Sequence, residues 1–320
     1  MDGEFDLIAR YFKHPAPSGM LGVGDDCALF SLESGRQVAA STDLLIEGRH
    51  FFPDVAPRAL GHKALAVNVS DLAAMGAAPL GCLLGLSLPT VDHEWLQGFS
   101  KGFLGYARES GCPLLGGDTT RSPQGIVISV TVFGQVPQGA ALRRDAARVD
   151  DDIWITGTLG AAHAALRWLS GEWPPDPRLL AATRGALEQP MPPLGFARGL
   201  PGIAHAALDI SDGLAQDLGH ILAASGCGAV LDYAALPADP ALAGLPAQQV
   251  REAVLVGGDV YQLCFTAPAR HRERIAALGR SADVRVTRVG RIAAAPGLRI
   301  LDADGRAIAP PAGFDHFLSR

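Results

Sequence analysis

The chain has 320 residues, a hydrophobic share of 48%, a charged share of 19% and a formal net charge of -6. That length and composition suit two ordinary globular domains with substantial cores and exclude an extended disordered chain. An acidic balance argues against nucleic acid as the main partner, because phosphate backbones recruit basic surfaces.

The opening Met-Asp-Gly-Glu-Phe-Asp has no basic region followed by an apolar stretch. No apolar run approaches the ~20 residues of a membrane-spanning helix, so the expectation is a cytoplasmic protein with no membrane partner. The five cysteines (Cys27, Cys82, Cys112, Cys227 and Cys264) lie far apart and form no Cys-x-x-Cys pair. They read as small reduced thiols, not as a zinc site or a disulfide framework.

Taken in order, residues 4–12 carry Phe5, Ile8, Tyr11 and Phe12 on one helical face. Residues 14–24 are rich in Pro and Gly and predict a loop. Residues 38–45 read as a buried strand, and Pro57 opens a long helix to about Met75, stopped by Gly76 and Pro79. Residues 81–88 suit a second buried strand. The spacing of Trp95, Phe99, Phe103 and Tyr106 predicts a helix over 92–110, with Gly111 as its stop. Alternation through Ile126, Ile128, Val130 and Val132 predicts a strand.

A second series opens near Asp150, with a strand over 153–156 and a helix over 160–169. The proline-rich residues 172–193 predict a connection or surface excursion. A strand over 206–210 leads into a helix from Asp212 to about Ser225, and strands over 261–266 and 284–292 flank a helix over 268–278. Strands mixed with helices in both halves predict two α/β or α+β domains, residues 1–140 and 146–320.

The chemistry concentrates in aspartates beside glycines and at the ends of apolar elements: Gly24-Asp25-Asp26, Ser41-Thr42-Asp43, Ser70-Asp71, Gly116-Gly117-Asp118-Thr119 and Asp209-Ile210-Ser211-Asp212-Gly213. Each alone also reads as an ordinary helix cap or turn. Asp71 is harder to explain that way, because it lies in an apolar helical stretch where a carboxylate costs free energy unless paired or bound to a cation. As a set they suit Mg²⁺, which takes one or two carboxylates per ion together with water and substrate phosphates. There is no Gly-x-x-x-x-Gly-Lys-Ser/Thr loop, and Lys13, Lys63 and Lys101 are the only lysines.

At these residues the sequence resembles the bacterial thiamine-monophosphate kinases, in the wider superfamily of aminoimidazole ribonucleotide synthetase-like enzymes. The resemblance rests on LGVGDDCAL (21–29), STDLLIEGRHF (41–51), KALAVNVSDLAAMGA (63–77), GGDTTR (116–121), LDISDGL (208–214) and GFDHF (313–317), in order along nearly the whole chain. It implies a two-domain α/β (α+β) fold, with the N-terminal domain dimerising through its sheet. ATP as co-substrate and several Mg²⁺ ions would lie in a cleft between the domains. Carried over position by position, it implies metal contacts at Asp26, Ser41, Thr42, Asp43, Asp71, Asp118, Asp209 and Asp212. ATP contacts would fall at Gly117, Asp118, Arg144 and Ser211, and substrate contacts at His50, Asp259 and Phe314. Read from the residues alone, His50 beside two phenylalanines also fits a structural role, Arg144 a solvated one, and Phe314 a core one.

The expected reaction is direct in-line transfer of the γ-phosphate of ATP to thiamine monophosphate, the last step in making thiamine diphosphate. An acceptor phosphate whose second ionisation lies near pH ~6 needs no general base, so charge neutralisation by metals and Arg144 carries the catalysis. The chain departs from the family at Gly257-Gly258-Asp259-Val260-Tyr261-Gln262-Leu263, where relatives have Gly-Gly-Glu-Asp-Tyr-Glu-Leu. That change touches the acceptor side. Two alternatives stand beside the kinase: a related ATP-dependent synthetase or ligase with another acceptor, and a non-catalytic nucleotide- or thiamine diphosphate-binding homologue.

Overall fold

The computed structural model describes residues 4–23, 27–174 and 176–309. The chain divides into two units, Met1–Leu72 with Ala77–Gly139, and Ala73–Gly76 with Ala140–Arg320. Among the described residues no helix is long and apolar enough to cross a membrane.

In the first unit, the opening helix α1 (Glu4–Leu7) runs on as a π-helical turn that buries Tyr11 and Phe12. Four strands follow, β1 (Arg36–Ile46), β2 (Ala78–Leu88), β3 (Leu114–Arg121) and β4 (Val127–Pro137), in the order β1-β4-β2-β3. Only β2 and β3 are parallel. Along β4, Ile128, Val130 and Val132 are buried while Ser129 and Thr131 between them are partly exposed, so one face is covered and the other open. The long helix α2 (Pro57–Ala74) lies on the covered face, where Ala64, Leu65, Ala66 and Val69 are fully buried. Helix α3 (His93–Ser110) buries Leu96, Phe99, Phe103 and Tyr106. Its N-cap Asp92 accepts the Glu94 and Trp95 amides, and Gly111 closes it in the left-handed conformation.

The second unit holds a seven-stranded sheet of β5 (Asp152–Thr156), β6 (Ala206–Asp209), β7 (Gly228–Asp232), β8 (Leu263–Ala267), β9 (Val286–Ala293), β10 (Gly297–Leu301) and β11 (Ala307–Ile308), in the order β11-β10-β7-β9-β5-β8-β6. Only β7 and β10 pair in parallel. Both faces bury apolar side chains, which is why β5 is buried at every position. Ile153 and Ile155 join one core with Leu214, Leu218 and Ile221, and Trp154 joins a second with Phe196, Phe265 and Ile275. The helices are α4 (Ala161–Leu169), α5 (Pro177–Glu188), α6 (Leu194–Ala197), α7 (Leu214–Ser225), α8 (Ala247–Val256) and α9 (Arg272–Ser281). At the start of β5 the buried Asp152 carboxylate receives Arg272 through Nε at 2.6 Å and through a terminal nitrogen at 2.7 Å.

Two mixed α/β units agree with the expected fold class. Two local expectations are corrected, and one stretch given no element above gains one. Residues 172–193 contain a helix of 12 residues, α5, in which Asp176 is the N-cap and Pro177 occupies the first turn; the proline starts a helix there instead of breaking one. The final strand of the site begins at Leu263, because Tyr261 is left-handed (φ 53°) and cannot continue a ladder. The GGDTTR stretch forms strand β3, beside β2 at the sheet edge.

Candidate active site

In the first unit the acidic site is built between β1 and α2. Strand alternation sends Ser41, Asp43 and Leu45 to the helix-covered face and Thr42, Leu44 and Ile46 to the open one. The Ser41 hydroxyl donates to Asp71 at 2.5 Å, and the Asp43 amide donates to the Asn68 side-chain oxygen at 3.0 Å. Asn68, fully buried, uses its own amide on the Ala64 carbonyl one turn back, so its orientation is set by the helix. Burial, and then the Asp71 charge, push the Asp43 carboxyl up to about 6. A cation would relieve both causes.

Thr42 is not brought to this pair. Its hydroxyl donates to the Val130 carbonyl and accepts from Thr131, on the open face. Asp118 is separated further. Asp43, Val130, Leu84 and Gly117 lie in register across the four strands. Three strand spacings put Asp43 and Gly117 roughly 14 Å apart along the sheet. Asp118, next to Gly117, pairs with Gly85 on the opposite face and is exposed. Gly117 is required by close approach, since a Cβ there would sit 1.9 Å from the Leu84 carbonyl oxygen. At the end of β1, the Ile46 amide donates to His50 Nδ1 at 3.0 Å. That bond leaves the proton of the neutral imidazole on Nε2, as a donor.

In the second unit Asp209 ends β6, almost fully buried, and Ser211 and Asp212 form the turn into α7. The reasoning from sequence missed Asp217. It is 4% exposed and accepts the Asp212 amide at 3.0 Å. Burial pushes its carboxyl up to about 7; the Asp212 and Asp209 charges add to this, and hydrogen bonds from the Asp212 and Ser211 backbone oppose it. The signal was present, because Asp217 shares a helix face with Leu214, Leu218 and Ile221. It is the same anomaly that singled out Asp71.

The segment 257–263 packs directly on this turn. The Asp259 amide donates to the Ser211 carbonyl at 2.8 Å, Tyr261 to Ile210 at 2.8 Å, and Ile210 to Gln262 at 2.7 Å. Asp259 (φ 58°) and Tyr261 are both left-handed, and the Tyr261 hydroxyl donates to Asp259 at 3.3 Å. Val260 packs against the core. Gln262 accepts from Thr156 at 2.7 Å and donates to the Met191 carbonyl at 3.0 Å, a pairing that needs an amide because a carboxylate cannot donate. A Cβ on Gly258 would lie 2.4 Å from the Ser211 carbonyl oxygen.

Arg144 is exposed on a 3-10 turn (Arg144–Ala146), and its guanidinium is unpaired among the described residues, whereas Arg143 is tied to Asp145. Asp26 and Phe314 lie outside the described residues.

Residues 24–136 match the AIR synthase related protein N-terminal domain, and residues 148–302 its C-terminal domain. A thiamine-monophosphate kinase of Escherichia coli O157:H7 is 42% identical over 330 residues, covering 98% of both chains. The chain belongs to the thiamine-monophosphate kinase family. Among solved structures, the thiamine-monophosphate kinase of Stenotrophomonas maltophilia K279a superposes with a TM-score of 0.84 at 42% identity, over 94% of this chain and 95% of that one. AaThiL complexed with AMPPCP and TMP superposes with a TM-score of 0.78 at 29% identity, over 90% and 89%.

Set against this family, the donor chemistry of the chain suits Mg²⁺. Among the described residues no cluster of three or more His, Cys, Asp or Glu side chains is arranged to hold an ion. Paired carboxylates with a raised affinity for positive charge are what remains. Such pairs suit an ion that completes its shell with phosphate and water.

Proposed function

We propose that the chain is a cytoplasmic thiamine-monophosphate kinase that transfers the γ-phosphate of ATP to thiamine monophosphate, giving thiamine diphosphate. The observation that carries this reading is the kinship along 98% of both chains with a protein of that name, together with the likeness to a neighbour solved with AMPPCP and TMP. The chain's own residues supply the parts such a transfer needs.

We assign Ser41, Thr42, Asp43, Asp71, Asp118, Asp209 and Asp212, with Asp26, to cations, Thr42 through its backbone. Bound Mg²⁺ would supply the positive charge that lets two phosphates approach. Gly117 and Ser211 serve the nucleotide, the first by leaving its backbone uncovered. Arg144 presents an unpaired guanidinium suited to bidentate phosphate binding. His50, its ring oriented by the Ile46 amide, serves the acceptor, and Asp259 and Phe314 complete the acceptor contacts. The attacking phosphate oxygen is already largely anionic at neutral pH, its second ionisation lying near ~6, so no base is assigned. Positioning for in-line attack and charge neutralisation account for the catalysis, and no phosphoenzyme forms.

We also infer a homodimer. Asp43 and Asp118 sit on opposite edges and opposite faces of one sheet, so one ion cannot reach both within a copy. The open face of β1 exposes Val38, Leu44 and Ile46. A second copy meeting this sheet would cover that face and bring its own edge strands to the site.

The test is purified protein with ATP, Mg²⁺ and thiamine monophosphate, scored for thiamine diphosphate. Product is expected, falling at least 100-fold in Asp43→Asn and Asp118→Asn, with no radiolabel retained on the protein after [γ-³²P]ATP alone. Nucleotide binding without product, or a trapped phosphoprotein, would sink the reading.

A further inference from the structure

Asp217 has no part in the scheme above, yet it is a carboxylate buried among apolar side chains. Its carboxylate is 4% exposed on the apolar face of α7, close enough to Asp209 and Asp212 to feel both charges. A buried, charged group of this kind is retained only where hydrogen bonds or a partner repay it. Its main partner is the Asp212 amide at 3.0 Å, with the Ser211 backbone also favouring the ionised form.

That geometry differs from a helix cap. Helix α7 begins at Leu214 behind Gly213, whose position has no side-chain cap. In a capping box the acid sits at the third helical residue and reaches the amide of the cap residue itself. Asp217 is the fourth helical residue, and its target, Asp212, precedes the cap. The bond therefore serves the loop before the helix.

The other side of the same loop is held by the acceptor segment. The Ser211 and Ile210 carbonyls accept the Asp259 and Tyr261 amides, and the Ile210 amide donates to Gln262. Gln216 reaches the Asp212 carboxylate at 3.4 Å. With Ile210 and the Ser211 carbonyl clasped by 259–262 and the Asp212 amide held by Asp217, the backbone at 210–212 is fixed from two sides.

We propose that Asp217 is the positioning residue of the acidic loop, its carboxylate holding the backbone at Ser211 and Asp212 so that Asp209 and Asp212 face the same divalent cation and its phosphates. This rests on the reading of Asp209 and Asp212 as cation contacts. It adds a residue that touches neither cation nor phosphate and acts through the loop.

The experiment uses the full chain with Asp217→Asn and Asp217→Ala, and with Asp176→Ala as a control that removes an ordinary helix cap on α5. Amide exchange of the 208–214 peptide is followed by mass spectrometry without ligand, and Mn²⁺ binding in the presence of AMPPCP by electron paramagnetic resonance. Exchange at 211–212 is expected to rise at least 10-fold in both Asp217 variants. Mn²⁺ affinity should weaken about 10-fold in Asp217→Ala and about 3-fold in Asp217→Asn, which keeps one accepting oxygen. The cap control should lose thermal stability with Mn²⁺ affinity unchanged.

Parent-like exchange or parent-like Mn²⁺ affinity in Asp217→Ala, or in the near-isosteric Asp217→Leu where the alanine variant does not fold, overturns the proposal. A parent protein that binds no Mn²⁺–AMPPCP overturns the assignment of Asp209 and Asp212 to cations. Exchange then still reports separately whether Asp217 anchors the loop.

Discussion

Asp43 pays twice for its position, first in lost hydration and then in repulsion from Asp71. Its carboxyl ionises near 3.8 when exposed and near about 6 in the fold, so the folded chain holds that proton more tightly than the unfolded chain does. The penalty is absent below 3.8, grows as the pH rises, and is complete above about 6. Metal-free protein should therefore become more stable as the pH falls from 7 to 5, and Asp217, raised to about 7, acts in the same direction. The gap at Asp43 corresponds to at most about 3 kcal/mol on the charged form. Asp43→Asn should accordingly raise the melting temperature of the metal-free protein at pH 7.5 and flatten its pH dependence, while activity disappears. Calorimetry at pH 5.5 and 7.5 checks this, and a destabilised Asn variant with unchanged pH dependence would contradict it. Stability given up at the site is stability a cation can return.

Among the elements, the acidic turn and the acceptor segment behave as one piece. Three backbone hydrogen bonds join 210–211 to 259–262, and Gly258 lies against the Ser211 carbonyl with no room for a Cβ. Gly258→Ala must push these two segments apart. The expected cost is about 1–3 kcal/mol in stability, with KM for thiamine monophosphate raised several-fold more than KM for ATP. Steady-state kinetics with each substrate varied in turn decides it; equal effects on both constants would mean the clasp does not govern the acceptor side. The departures at 260 and 262 take on a physical meaning in this setting. Val260 packs on the core, and Gln262 bridges Thr156 to the Met191 carbonyl, so both have structural partners. Helix α5 belongs at this scale too. Asp176 and Pro177 are a start signal, which the surrounding prolines obscure in the composition of the segment. Asp176→Ala should cost about 1 kcal/mol, measurable by urea denaturation, without touching catalysis.

For the whole molecule, the proposed homodimer would make the oligomeric state part of the chemistry. Val38 and Leu44 lie on the open face of the edge strand that carries Asp43, and Asp118 is on the far edge. Val38→Asp with Leu44→Asp should yield a folded monomer by sedimentation, with kinase activity reduced at least 10-fold. A fully active monomer would refute the shared-site reading.

Much of this was legible without coordinates. Helix period and the Gly111 stop are local, and so are the aspartate motifs that carry the family resemblance. These depend on residues within a turn or two of one another, and a linear reading captures them. Strand order does not work that way. Whether Asp43 and Asp118 share a face depends on a chain of pairings, Asp43 to Val130, Val130 to Leu84 and Leu84 to Gly117, in a register no single strand encodes. Asp217 is only five residues from Asp212, yet its function needs the turn at Gly213 to swing one over the other. The sequence by itself determined the family, the set of acidic residues and most of the helices. The tertiary structure alone decided that Ser41 meets Asp71, that Asp43 and Asp118 lie on opposite faces of one sheet, and that Asp217 receives the Asp212 amide, because long-range pairing and burial bring together groups that the linear order keeps apart.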